Sequence, residues 1–209
     1  MKFDDTKFSY FFTECINRLG NEEGIRLFKM ASDKLEELFY EVDDRNSKAI
    51  REHMTNNMLP TIAIYQACIK KGMNKIQAYN FTLEIAQVAS VKERDKNKKL
   101  GNNPLGYFMF KLFCKKIMAK NFPKEGWNIE WVQYDKTEIH FNMKTCIYAE
   151  ITKECGCPEL CSIFCANDVT TFSGFKPNIF FERTGTIGEG QKVCDFHFKN
   201  HAYIHKVCL

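Results

Sequence analysis

The chain has 209 residues, of which 44% are hydrophobic and 27% charged, with a formal net charge of +4. That length supports one good core with a helical extension, and the composition excludes a fibrous or disordered class. The densest basic run, "VKERDKNKKL" (91–100), also holds Glu93 and Asp95 and lacks aromatics, so it reads as a solvated loop between helices and no nucleic-acid partner is expected.

In chain order, "MKFDDTKFSYFF" carries acids where a leader peptide would need a basic and then a long apolar stretch, and no apolar run approaches a membrane span. The expectation is a cytoplasmic protein without a membrane partner, whose ten cysteines are mostly reduced. "EEGIRLFKMASDKLEELFYEV" spaces Ile25, Leu27, Phe28, Leu35, Leu38 and Phe39 for a helix. "NMLPTIAIYQACIKKGM" gives a second helix between Pro60 and Gly72, and "NKIQAYNFTLEIAQVASVKE" and "NPLGYFMFKLFCKKIMAKNF" give two more.

After Pro123 the texture changes. "WNIEWVQYDKTEIHFNMKT" alternates around a Tyr-Asp-Lys-Thr turn and predicts two antiparallel strands. "CIYAEITKE" predicts a short helix, "PELCSIFCANDVTTFSGF" a longer one, and "NIFFERTGTIGEGQKVCDFHFKN" a hairpin turning at Gly188-Glu189-Gly190. The class is therefore α+β: an N-terminal helical layer, then a four-stranded antiparallel sheet in ββααββ order with helices on one face. The expected division is a helical region over 1–122 and an α+β region over 123–209, together one compact unit.

On the helix 158–173, Cys161, Cys165, Asp168 and Phe172 share one face, stacking two thiols and a carboxylate. Such a set suits a thiolate nucleophile with a carboxylate proton shuttle, but the spacing alone fits small buried thiols beside a solvated or loop-bound acid better. Cys155, Cys157, Cys161 and Cys165 lack the paired spacing of a zinc knuckle, and His201 and His205 lack a third ligand nearby, so no metal and no cofactor is expected. In the last strand, alternation puts Cys194 and Phe196 on the inward face and Asp195 and His197 on the other. A three-residue turn would set Arg183 opposite Asp195, and a two-residue turn would set it opposite Cys194, facing the helices. Both registers stay open.

The segments "CIYAEITKECGCPELCSIFCANDVTTF" and "IFFERTGTIGEGQKVCDFHF" carry a Cys-x-Tyr start, Gly-x-Pro-Glu-Leu, a Cys-x-x-Asp pair, Arg-Thr-x-Thr and Cys-Asp-Phe. In this the chain resembles the L-2-amino-thiazoline-4-carboxylic acid hydrolase family. The resemblance implies opening of a cyclic isothiourea ring by water, giving an N-carbamoyl-cysteine-like product. It marks Cys165 and Asp168 as catalytic, and Arg183, Cys194, Tyr148, Thr184 and Thr186 as substrate-binding. Cys146, Glu159 and Asp195 stand behind them. The partner implied is a small-molecule substrate, with a homodimer allowed. The strand and helix order also resembles the 4-vinyl reductase type of domain, which makes a non-enzymatic small-molecule-binding module the alternative.

Overall fold

Helix α1 (Phe11–Leu19) turns into α2 (Asn21–Glu41) at Gly20, whose φ of 77° lies in the left-handed region that glycine enters without a Cβ clash. A Cβ on Gly24 would stand 2.7 Å from the Cys15 carbonyl oxygen, so glycine also sets how closely these helices approach. Leu27, Ala31, Leu35 and Leu38 form the buried stripe of α2, which packs on α4 (Leu59–Lys70). Between them come α3 (Lys48–His53) and one π-helical stretch, Met54–Met58. Helix α4 is buried on every side from Leu59 to Tyr65, and Pro60 sits in its first turn as its sequence predicts. The computed structural model describes residues 1–204, so His205 lies outside the described residues.

The described chain divides into two compact units. The first comprises Met1–Ala89 and Ile151–Ile163, and the second comprises Ser90–Glu150 and Phe164 onward, so the expected boundary at 122/123 falls inside the second. In the first unit, Tyr65 donates to Glu159 at 2.6 Å, Gln66 to the Cys155 carbonyl at 3.0 Å, and Tyr79 and Ser162 share a 2.8 Å bond.

Helix α5 (Lys75–Gly101) corrects one expectation: the run 91–100 is its C-terminal part, not a loop. Lys96 pairs with Glu93 and Lys98 with Asp95, each three residues apart on the helix, so the alternating signs support the helix through this run. Helix α6 (Gly106–Asn121) follows, then the sheet, whose strands are β1 (Ile129–Tyr134), β2 (Glu138–Met143), β3 (Ile179–Glu182) and β4 (Cys194–Asn200). The order is β1-β2-β4-β3, all antiparallel, with α7 (Ile147–Glu154) and α8 (Cys161–Ser173) between β2 and β3 and the short α9 (His201–Ile204) after β4. This is the α+β architecture expected.

Alternation fixes the faces. Ile139, Phe141 and Met143 of β2 are buried opposite Phe198, Phe196 and Cys194 of β4, and the Phe141 and Phe196 rings stack at 4.9 Å. Phe110 of α6 and Phe172 of α8 close on Phe198 at 4.9 and 5.1 Å, placing an aromatic core between the sheet and these helices. The other face carries Glu138, His140 and Asn142 beside Lys199, His197 and Asp195. At the end of α8, a Cβ on Gly174 would meet the Arg94 carbonyl oxygen of α5 at 2.1 Å, so backbone touches backbone there.

The predicted tight hairpin at 188–190 is replaced by a long excursion over residues 183–193, with a 3-10 turn at Ile187–Glu189 and Gly190 in the left-handed region. Pairing runs from Ile179↔Asn200 to Glu182↔His197, so neither tight-turn register applies. Continued by one step, it would bring Arg183 level with Phe196.

Candidate functional site

Phe181 pairs with Phe198 on the inward face and Glu182 with His197 on the outward one, so Arg183, next along, turns inward. Its guanidinium lies 4.1 Å from the Phe196 ring centre and 5.3 Å from that of Phe181, a cation resting against two adjoining aromatic rings. From there Nη2 donates to Asp168 Oδ2 at 3.0 Å, and Nη1 makes a long 3.5 Å contact with the Cys165 carbonyl. Only 7% of the Arg183 side chain is exposed, and its buried Nε–H has no hydrogen-bond partner among the described residues. A buried donor left without an acceptor is costly. Nε and Nη2 form one edge of the guanidinium, so a carboxylate laid along that edge would satisfy the orphan.

Cys165 and Asp168 ride one turn apart on α8, both half-buried, with 29% of the Asp168 side chain exposed. Burial raises the Asp168 carboxyl above its ordinary range; Arg183 pulls the other way and offsets this only in part. The shift favours a carboxyl that holds its proton longer than a solvated aspartate.

Cys194 points to the same inward face, is buried, and accepts a hydrogen bond from the Ile187 amide at 3.1 Å. Burial pushes its thiol up to about 12, and the nearby Cys146 and Cys165 push in the same direction. It is a neutral thiol at neutral pH, which suits lining better than attack. Tyr148 packs its ring against Phe164 of α8 at 4.5 Å, one residue before Cys165.

Asp195 stands on the opposite face of the same strand, with no bulge between it and Cys194. It is not the exposed group that an outward face suggests. Its oxygens accept from the Thr184 amide and hydroxyl and the Gly185 amide at 2.8–3.1 Å, and the loop they belong to buries it. Burial alone would raise this carboxyl; the hydrogen bonds outweigh it and hold the group below its ordinary value. Thr184 thus spends its hydroxyl on Asp195. Thr186 is buried and donates to Glu189 at 2.9 Å.

The structure therefore gathers Cys146, Cys165, Asp168, Arg183 and Cys194 about the inward face. It sets Thr184, Thr186 and Asp195 to work inside the 183–191 loop. Glu159 belongs to the first unit, where burial would raise its carboxyl but the hydrogen bonds from Tyr65 and its own amide, with the Lys75 charge, together outweigh this and lower it. Sequence reasoning missed the Phe181–Phe196 ring pair against which Arg183 rests; the alternation of "IFFER" against "CDFHF" held that signal once register was known.

Among the described residues, one cluster has metal-ligating groups close together: Glu138, His140 and His197, on the polar sheet face. The two imidazoles stack at 3.8 Å and 21°, so their in-plane lone pairs run side by side rather than converging. His197 bridges Glu138 at 2.5 Å and Asp195 at 3.3 Å, which makes it a strut between two carboxylates.

Fold and site together define an α+β protein that gathers a thiol, a partly buried carboxyl and a buried guanidinium on the inward face of its sheet. The chain belongs to the L-2-amino-thiazoline-4-carboxylic acid hydrolase family, whose model matches residues 49–198. No curated protein and no solved structure matches it.

Proposed function

We propose that this protein is a hydrolase that opens a cyclic isothiourea of the 2-amino-thiazoline-4-carboxylate type. The observation that carries this reading is the buried Arg183 edge with its unclaimed Nε–H, beside a half-exposed thiol and a carboxyl of raised pKa. The substrate carboxylate takes that edge and sets the ring over Cys165.

The Cys165 thiol adds to the ring carbon between nitrogen and sulfur, its sulfur bonding to that carbon and its proton passing to the ring nitrogen. The ring carbon–sulfur bond breaks, and Asp168 delivers its proton to the departing thiolate. Water then adds to the resulting S-linked isothiourea, Asp168 takes back a proton, and Cys165 leaves as its thiol. The product carries an N-carbamoyl group and a free thiol, one water heavier than the substrate. In a direct-water version Asp168 activates the water and Cys165 only lines the site.

The test is incubation with L-2-amino-thiazoline-4-carboxylate, following gain of one water by mass spectrometry and the new thiol with a thiol reagent. Ring opening by the wild type is expected, with about a hundredfold or greater loss in Cys165→Ser. Normal turnover by Cys165→Ser with loss in Asp168→Asn would replace the covalent route by the direct one. No ring opening of this or related cyclic amidines would overturn the hydrolase reading in favour of a binding module.

A further inference from the structure

Between Asp95 and Glu125 the chain has eight lysines and no acidic residue. Four of them, Lys111, Lys115, Lys116 and Lys120, lie on α6, where none forms an ion pair among the described residues. The inward side of α6 is spent on the core through Tyr107, Phe110, Cys114 and Met118. Its outward side is not polar, as an amphipathic helix on a sheet should be. Leu105, Phe108 and Leu112 each expose 65% of their surface and Phe113 51%, with Met109 and Ile117 also exposed.

These residues follow helical rows. Leu105, Met109, Phe113 and Ile117 make one row four residues apart, apolar throughout. Phe108, Leu112, Lys116 and Lys120 make the adjacent row, apolar and then basic. With an aromatic or large aliphatic side chain offering roughly 150–250 Å², the open apolar area is on the order of 500 Å², at the upper end for a patch with nothing to cover it.

We infer that this outer face of α6 is a docking surface for an anionic lipid bilayer. A helix that presents Phe and Leu beside an acid-free set of lysines can sink its apolar rows to the headgroup boundary while the ammonium groups meet lipid phosphates. A second copy of this chain fits the same face poorly. Two-fold pairing would bring lysines onto lysines or onto the apolar half, and α6 carries no carboxylate to receive them. Attachment of this kind lies along the surface and needs no membrane-crossing helix; no helix of the described residues is long and apolar enough to cross one.

The test is co-sedimentation of the full chain with vesicles of phosphatidylcholine alone and with about a third phosphatidylserine. Binding to the anionic vesicles only is expected, weakened at least tenfold as salt is raised from about 0.1 to about 0.5 M. Phe108→Ser with Leu112→Ser, and separately Lys116→Glu with Lys120→Glu, should each abolish it. These side chains are exposed, and an unchanged thermal melt would verify that the variants fold. Absence of binding to anionic vesicles overturns the proposal, as does equal binding by either variant. A wild-type dimer that the Phe108/Leu112 variant dissociates, seen by sedimentation velocity, would assign the face to a second copy instead.

Discussion

Asp168 and Asp195 are two aspartates in one unit that the fold drives in opposite directions. Burial raises Asp168, so as a proton donor it works below its raised pKa. Turnover should therefore fall as pH rises through that value, and Asp168→Asn should both lower the rate about a hundredfold and flatten the alkaline limb of the pH–rate profile. Asp195 is lowered by the Thr184 and Gly185 donors. Its stabilising contribution is present above the ordinary aspartate value near 3.8 and is lost as pH falls through its depressed folded value. Asp195→Asn, which sets an amide donor against those N–H groups, should cost about 2–3 kcal/mol at neutral pH, a fall of roughly 5–10 °C in Tm. The gap from wild type should narrow in acid, as thermal melts across pH would reveal. The sequence made the proximity of Cys165 and Asp168 legible, since three residues is nearly one turn. It could not tell that Asp195 would be buried, because the donors that enclose it come from a loop excursion with no local signature.

At the scale of elements, helices and strand faces were readable because their signals are local: Pro60 at the start of α4, the Asp135 turn between β1 and β2, the alternation of Ile139, Phe141 and Met143. The last hairpin was not. A glycine-rich run suggests a tight turn, but Asp195 and the Ile187 amide bond to Cys194 draw the chain outward before it returns. Run 91–100 was misread for the opposite reason: its charges pair along a helix instead of dissolving one. Two substitutions check the packing that results. Phe198→Ala, at the centre of the aromatic core, should cost about 3–5 kcal/mol by denaturant unfolding. Gly174→Ala places a methyl group against the Arg94 carbonyl and should lower Tm, although it removes no contact.

For the molecule as a whole, the family match begins at residue 49, beyond α1 and α2. These helices are nonetheless part of a core, since α2 covers α4 with Leu27, Ala31 and Leu35. A chain shortened to start at Ser47 should therefore lose solubility and its cooperative melt, measurable by circular dichroism, even though every matched position is retained. The arrangement at Asp195 has a consequence for comparing relatives. Its carboxylate and the Thr184–Gly185 backbone complete each other, while the next residue back, Cys194, faces the proposed chemistry. Drift at position 195 is thus tied to the shape of the turn that delivers Arg183. A chain without a carboxylate at 195 would leave the Thr184 and Gly185 amides without that acceptor and shift the turn from which Arg183 departs, so position 195 sets the reach of the guanidinium.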